Sequence, residues 1–179
     1  MRNYLNKMKG GAKSPPAVHV KEIWWSILGS SLGIGACAWL SSNYFEPRDT
    51  SLLIGSFGAS AVLIYAAIKS PLAQPRNLLG GHFISGLVGV ACYHLFGGTL
   101  WFAAAAAVSL AIGAMLATKT LHPPGGATAL IAVIGGGKVH KLGYFYAFCP
   151  AGLGAVVLLL IALVVNNLAE SRSYPEYWV

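Results

Sequence analysis

The chain has 179 residues, of which 56% are hydrophobic and only 9% are charged. Soluble domains carry roughly 25% charged residues on a water-compatible surface, so this composition excludes an ordinary soluble domain. The net charge of +7 does not indicate nucleic-acid binding, because the basic residues form no patch with interleaved aromatic side chains. Charged residues fall instead in clumps between long apolar stretches, as is typical of an integral membrane protein.

The N-terminal segment, residues 1–22, is basic and contains glycine and proline pairs, without the short apolar run of a cleavable signal peptide. We predict a cytoplasmic arm here. The next segment predicts a transmembrane helix over 23–45, on which Gly29 and Gly33 form a GxxxG pair. Such a pair suits close helix packing, but the general enrichment of glycine in membrane helices explains it equally well.

Five more apolar segments follow, and two of them are broken. Segments 78–96, 100–118 and 144–168 are long enough to span a bilayer. Segment 50–68 is interrupted by a Gly-Ser-Phe-Gly motif, which leaves a helix over 59–68 of about 15 Å, half the hydrocarbon thickness. The remaining segment opens with Leu-His-Pro-Pro-Gly-Gly at 121–126, which predicts irregular backbone and a short helix over 127–136.

The two broken segments match one another. Residues 58–63 read Gly-Ala-Ser-Ala-Val-Leu and residues 126–131 read Gly-Ala-Thr-Ala-Leu-Ile, each second in a group of three segments. Three crossings per group invert one copy relative to the other, and paired interrupted segments are typical of transporter binding sites. We predict an all-α polytopic membrane protein with an inverted 3+3 repeat, comprising four full transmembrane helices and two short broken half-helix segments. The repeats are about 23–97 and 99–168 within one transmembrane domain, 23–168, and an aromatic tail, 169–179, rests at the interface.

Inversion would bring the N-termini of both half-helices together near the membrane centre. A helix N-terminus presents unpaired N–H groups and about half a positive charge, so the pair predicts a site for a small monovalent anion. Taken singly, Ser60 and Thr128 would be interpreted as packing residues; the matched motifs favour binding. The predicted substrate-binding residues are Ser56, Phe57, Gly58, Ala59, Ser60, His122, Pro123, Pro124, Gly125, Gly126, Ala127 and Thr128. Residues predicted to line the pathway or its cytoplasmic mouth are Gln74, Arg76, Asn77 and His82.

The tendency of positive residues to stay inside favours cytoplasmic N- and C-termini, with Lys138 and Lys141 as exceptions. All five acidic residues lie outside the apolar segments, and no catalytic motif is present. The sequence therefore predicts neither an enzyme nor a pump that uses buried carboxylates. The three cysteines are scattered, so we expect no metal, disulfide framework or cofactor. Small-residue seams at Gly29/Gly33 and Ala151/Ala155 suit either a homo-oligomer or packing within one chain.

Three motifs resemble the HPP family of integral membrane proteins: 121–129, which carries His-Pro-Pro, 55–61, and 70–77 followed by Gly-Gly-His at 80–82. Gly125 stands where many relatives have Ala, which leaves the motif intact. Cyanobacterial and chloroplast members are associated with nitrite transport, so the resemblance implies nitrite as substrate and a bacterial plasma membrane as location. Two alternatives remain open, a channel for a small neutral solute and a non-transporting membrane scaffold or regulatory protein. The sequence does not distinguish a channel from alternating access.

Overall fold

A computed structural model describes residues 2–8, 12–48 and 50–179. Within these ranges the chain forms helices and no strands. The helices are α1 (Arg2–Lys7), α2 (Val20–Leu40), α3 (Ser56–Ala61), α4 (Pro75–Phe96), α5 (Leu100–Ala117), α6 (Pro123–Ile134), α7 (Gly136–Leu142) and α8 (Leu153–Leu168). Irregular turns extend or join them: π-helical Ser41–Phe45, Val62–Ala66 and Ala147–Gly152, and 3₁₀ turns Glu46–Arg48 and Pro71–Ala73.

The predicted fold class is confirmed. Four helical stretches are long and apolar enough to cross a membrane, namely Val20–Arg48, Pro75–Phe96, Leu100–Ala117 and Ala147–Leu168. Two shorter apolar helices, Ser56–Ala66 and Pro123–Ile134, correspond to the broken segments. Large apolar side chains such as Trp101, Leu110 and Leu160 are exposed on the outer surface. This surface suits contact with lipid.

The half-helices run in opposite directions with their first turns side by side. The π-helical turn Val62–Ala66, which continues α3, lies beside the start of α2, where the Ser26 hydroxyl donates to the Tyr65 carbonyl at 2.8 Å. We call this membrane face, where α2 begins and α8 ends, the arm face. The N-terminal parts of α3 and α6 overlap side by side: Ser56, the first residue of α3, lies beside Thr128, the sixth residue of α6, with hydroxyl oxygens 2.9 Å apart, and Ser60 lies beside the N-cap His122. From there α6 continues toward the opposite face, as inversion requires.

The prediction that 121–126 is irregular is wrong for most of the motif. Leu121 and His122 lie outside any helix, the His122 backbone is extended (φ −142°), and α6 begins directly after it, with Pro123 and Pro124 in its first turn. Proline suits these positions, because its ring sets a helical φ and its missing N–H would be unpaired there anyway. Similarly, α3 begins at Ser56 rather than residue 59. Both half-helices therefore include most of their glycine motifs.

The last spanning segment also differs from the continuous helix predicted over 144–168. Cys149 is non-helical (φ −142°, ψ 122°) and the next residue is Pro150, so regular α8 begins only at Leu153. Proline removes a helical hydrogen bond and clashes with the preceding turn, which accounts for the kink. The short α7 that precedes this segment was not predicted.

Both small-residue seams are used within the chain. The ring of Tyr65 lies across Gly29 and Gly33, where an added Cβ would come within 2.6 Å and 2.1 Å of Tyr65 atoms, respectively. Ala151 and Ala155 are fully buried. Glycine thus lets Tyr65 fit between helices. Homo-oligomerisation stays a prediction, without support from these two seams.

The C-terminal tail packs on the loop between α3 and α4. The Tyr174 hydroxyl donates to the Ala73 carbonyl at 2.7 Å, and the Glu176 N–H donates to Gln74 Oε1 at 2.8 Å. Burial raises the pKa of the Tyr174 phenol, which keeps it a neutral donor. The tail therefore holds in place the loop that follows the first half-helix.

Candidate functional site

Five uncharged polar side chains gather where the two half-helices meet α4. They are Ser56 and Ser60 on α3, His82 on α4, His122 at the N-cap of α6, and Thr128 on α6. Ser56 is 1% exposed and the other four are fully buried. We call this group the midplane cluster, because it lies at the inner ends of both half-helices.

The midplane cluster is a single chain of hydrogen bonds. The Ser56 and Thr128 hydroxyl oxygens are 2.9 Å apart, and Thr128 Oγ1 lies 2.7 Å from Nδ1 of His82. On the other side of the ring, Nε2 of His82 lies 2.7 Å from Ser60 Oγ. Ser60 Oγ is in turn 2.9 Å from Nε2 of His122. Ser60 thus connects the two histidines, and every link joins two different helices or, for Ser60 and His122, α3 and the N-cap of α6.

Backbone carbonyls also bond to two members of this chain, His122 and Thr128. Nδ1 of His122 lies 2.7 Å from the Leu72 carbonyl oxygen in the loop at the arm face. Thr128 Oγ1 is 3.2 Å from the Pro124 carbonyl one turn earlier. The Tyr146 hydroxyl donates to the Thr128 carbonyl at 3.0 Å, which ties α6 to the kinked start of the last span. These partners fix the positions of both histidine rings and of the Thr128 side chain.

Glycines allow the backbones around the cluster to approach closely. A Cβ added to Gly81 of α4 would lie 2.5 Å from the His122 Cβ. One added to Gly89 would lie 2.6 Å from the Ala129 carbonyl oxygen, and one on Gly125 would lie 2.8 Å from the Gly81 carbonyl oxygen. Larger residues would push α6 and its cap away from α4. The glycines therefore set the distance at which His82 reaches the residues of the second repeat.

The structure separates the predicted binding residues into two groups. Ser56, Ser60, His122 and Thr128 form the cluster. Phe57 packs edge-on to His82 at a ring distance of 5.3 Å, and Pro124 and Gly125 pack beside them. The others point away from the cluster or lie at its margin: Gly58 and Ala59 are exposed, as is Pro123, and Gly126 and Ala127 are half-buried. An added Cβ on Gly58 would meet nothing within 4 Å.

Three of the predicted mouth residues support loop backbone. The Gln74 amide donates to the Ile68 carbonyl at 2.9 Å, Arg76 to the Thr118 carbonyl at 2.9 Å, and Asn77 to the Leu121 carbonyl at 2.9 Å. These contacts hold the loop that follows the first half-helix and the segment that leads into α6.

The fourth predicted mouth residue, His82, lies in the middle of the cluster. It stands two helical turns into α4, which starts at Pro75. At about 1.5 Å per residue, this places His82 about 10 Å below the arm face, level with the start of a half-helix. A count of residues from the helix start is the signal that could have located it. Tyr146 and the Leu72 carbonyl carry no comparable sequence signal.

The parts of the helices that surround the cluster carry no full charge, and Arg76 lies at the arm-face end of α4. Residues 55–66, 78–96 and 120–134 contain no Asp, Glu, Lys or Arg. Backbone donors are also few, because Pro123 and Pro124 have no N–H and the Gly125 N–H donates to the His122 carbonyl at 2.8 Å. Hydroxyl and imidazole groups therefore supply most of the polar chemistry here. Within the described ranges, no group of three or more His, Cys, Asp or Glu side chains could hold a metal ion.

Comparison with known proteins places the chain in a family. The family model described as "HPP, transmembrane region" matches residues 15–175. Two transmembrane proteins of Dictyostelium discoideum are each 49% identical over 98% of this chain, which covers 57% and 63% of their lengths. The chain thus spans about three fifths of these relatives, and no solved structure matches it. The chain is an integral membrane protein that belongs to the HPP family.

Proposed function

We propose that the chain is a transporter for a small monovalent anion, with nitrite as the substrate, rather than an enzyme. One observation carries this proposal: two inverted half-helices bring together buried hydroxyl and imidazole groups at a point where no fixed charge lies. A full positive charge at this depth would cost several kcal/mol and would hold an anion too tightly for release. The positive ends of both half-helices add a weaker attraction. Nitrite itself comes from the family resemblance.

The described state is closed. All cluster side chains are buried, and their polar atoms bond to one another or to backbone carbonyls. A bound anion would replace the bond between Thr128 and Ser56 and a bond between Ser60 and one of the histidines, because these hydroxyls can turn to donate toward an acceptor. Since neither face reaches the cluster in this state, movement of one repeat against the other would admit and release substrate.

The arm face is proposed to be cytoplasmic. Lys69, Lys119 and Arg172 lie on loops at this face and Arg76 lies in the first turn of α4 there, whereas Arg48, Lys138 and Lys141 lie toward the other face. This bias follows the preference of basic loops for the cytoplasm. A bacterial plasma membrane remains a prediction from the resemblance, while the relatives compared above are from Dictyostelium discoideum.

A small neutral solute is the second candidate. The two prolines at the start of α6 remove two backbone donors that an anion would use, and the cluster balances donors with acceptors. Neutral hydrogen-bonding molecules suit such a balanced site. A membrane scaffold without transport would leave the paired half-helices unexplained.

Uptake by proteoliposomes tests the proposal. Purified protein is reconstituted into liposomes, and entry of nitrite is measured against protein-free liposomes. Thr128→Val keeps the shape of the side chain but removes the hydroxyl that bonds Ser56 and His82. Loss of one hydrogen bond to a charged substrate costs about 1.5–3 kcal/mol, so the nitrite concentration that gives half-maximal uptake should rise roughly ten- to hundredfold.

Ser109→Ala is the matched control, because this exposed hydroxyl bonds only within α5. It should leave uptake unchanged. Equal uptake by the wild type and Thr128→Val would contradict the proposed site. Uptake of a small neutral solute without nitrite would favour the second candidate, and no flux of either by folded protein would favour the scaffold.

A further inference from the structure

The hydrogen atoms of the midplane cluster can be assigned from chemistry alone. The Leu72 carbonyl only accepts, so Nδ1 of His122 carries hydrogen. If His122 is neutral, its Nε2 accepts from Ser60, whose oxygen then accepts from Nε2–H of His82. Nδ1 of His82 accepts from Thr128. With both histidines neutral, the bonds from Leu72 to Thr128 run in one direction, and the single Thr128 hydrogen is then not available to Ser56 or to the Pro124 carbonyl.

One added proton also fits without breaking a bond. A protonated His82 donates through Nδ1 to Thr128 and through Nε2 to Ser60, while the Thr128 hydroxyl turns to the Pro124 carbonyl or to Ser56. Alternatively, a protonated His122 donates to Ser60, and Ser60 donates to His82. Rotation of the Ser60 hydroxyl, with transfer of one proton across its oxygen, interconverts the two states. The cluster therefore has two equivalent places for the same proton.

A second proton does not fit. With both histidines charged, both Nε2–H groups would point at Ser60, and the Ser60 hydrogen would lose its acceptor. The two cationic rings would also lie with centroids 5.2 Å apart in a buried site. Like charges at that distance and burial oppose each other strongly. The pair of histidines thus has room for a single proton.

The groups that face the histidine pair are uncharged. From α3 they are Ser60 and the Phe57 ring, from α6 Thr128, and from the loop the Leu72 carbonyl. The other titratable group beside the cluster is Tyr146, whose hydroxyl donates to a carbonyl. The positive charge on the pair would therefore be compensated only by a bound anion.

We propose that His82 and His122, joined by Ser60, bind one proton that crosses the membrane with each anion. This inference rests on the proposed function and deepens it. On one side, one proton and one monovalent anion enter the opened cluster; on the other side both leave, and the pair returns to its neutral state. The protein gains and loses the same proton, so each cycle moves no net charge.

Two measurements test this inference. The first follows nitrite and the internal pH of proteoliposomes together, corrected for nitrous acid leak with protein-free liposomes. One proton should enter per nitrite, an inward proton gradient should drive accumulation, and a potassium–valinomycin potential should have no effect. Ser60→Ala should lose the proton-driven accumulation, whereas Ser60→Thr, which retains a hydroxyl, should keep it.

The second measurement does not depend on transport. Nitrogen-15 NMR of the histidine side chains in nanodiscs, assigned with His82→Gln and His122→Gln, should show hydrogen on Nε2 of His82 and on Nδ1 of His122. Lowering the pH should add one proton to the pair before the protein unfolds. Independent titration of both rings to two cations would overturn the inference.

The results distinguish the two proposals. Nitrite flux that responds to voltage and ignores the proton gradient would overturn proton coupling and leave the anion site standing. Absence of nitrite flux in folded wild-type protein would overturn the proposed function, and the NMR proton count would then decide alone whether the histidine pair holds one proton.

Discussion

The Arg172 side chain joins several segments at the arm face. Its removal should therefore lower the free energy of unfolding more than most other single substitutions in the chain. Its guanidinium donates to the Glu22 carboxylate at 2.8 Å and to the Glu22 carbonyl at 2.7 Å. It also donates to Ser26, to Asn166 and to the Tyr65 carbonyl, at 2.9, 3.1 and 3.1 Å. The Tyr65 carbonyl lies near the C-terminal end of the first half-helix, where helical partners run out. One side chain thus joins α2, α3 and α8.

The size of the expected loss in stability follows from how deeply the Arg172 and Glu22 side chains are buried. The Arg172 side chain is 2% exposed and that of Glu22 is 31% exposed. Removal of one partner from a buried ion pair costs about 3–5 kcal/mol, because the other charge is left uncompensated. Water reaches part of Glu22, so we expect Arg172→Ala to lower the free energy of unfolding by about 3 kcal/mol.

Arg76→Ala is the matched control. Arg76 is also at the arm face, but it is half-buried and makes one bond, to the Thr118 carbonyl at 2.9 Å. Loss of that bond should cost about 1.5 kcal/mol or less. Unfolding by SDS titration in mixed micelles, followed by circular dichroism, measures both variants against wild type. A loss for Arg172→Ala no larger than that for Arg76→Ala would refute the central role of this residue.

Two glycine substitutions test the packing. Gly33→Val would place side-chain atoms against the Tyr65 hydroxyl oxygen, which lies 2.1 Å from the Cβ position. It should lower the free energy of unfolding, measured by SDS titration, by about 1–3 kcal/mol. Gly35→Ala is the control on the same helix; its Cβ meets nothing within 4 Å, so it should be neutral or stabilising. Gly125→Ala would place a methyl group 2.8 Å from a backbone carbonyl oxygen of α4, so nitrite uptake should fall. The added methyl group of Gly113→Ala meets nothing within 4 Å, so this control should leave nitrite uptake unchanged. Equal effects of a substitution and its control would contradict the packing described.

The architecture was predictable because the bilayer imposes strong rules. Charge-free gaps of about 20 residues locate spanning segments, and matched breaks in segments two and five indicate an inverted repeat. The meeting of Ser56 and Thr128 follows from this inversion. Local sequence alone was therefore enough for the number of long apolar segments and for the two short broken ones, while the place of the site stays a prediction.

The sequence did not predict which residues of the two motifs face the midplane cluster and which point away from it. The motifs were interpreted as irregular, so all their residues were expected to line the site together. Because α3 begins at Ser56, residues 56 and 60 share one helical face, and Gly58 and Ala59 lie on the other. Which residues face the cluster can be worked out only when it is known which residues are helical. In α6 the two prolines suggested irregular backbone where the helix already begins.

His82 and the C-terminal contacts depended on tertiary structure. His82 appeared to be near the mouth because α4 was predicted to begin at residue 78, whereas it begins at Pro75. Arg172 lies in a polar tail with no pattern that pairs it with Glu22, 150 residues earlier. Long-range pairs of this kind require the arrangement of helices to be known first.

The most direct test of the central claim is an anomalous-scattering map of crystals of the protein grown with bromide, a compact monovalent anion with a strong signal. The account predicts a peak at the midplane cluster within hydrogen-bond distance of the Ser60 or Thr128 hydroxyl, which weakens in Thr128→Val. Bromide confined to lysine and arginine side chains at the two faces, in crystals of protein that transports nitrite, would contradict it.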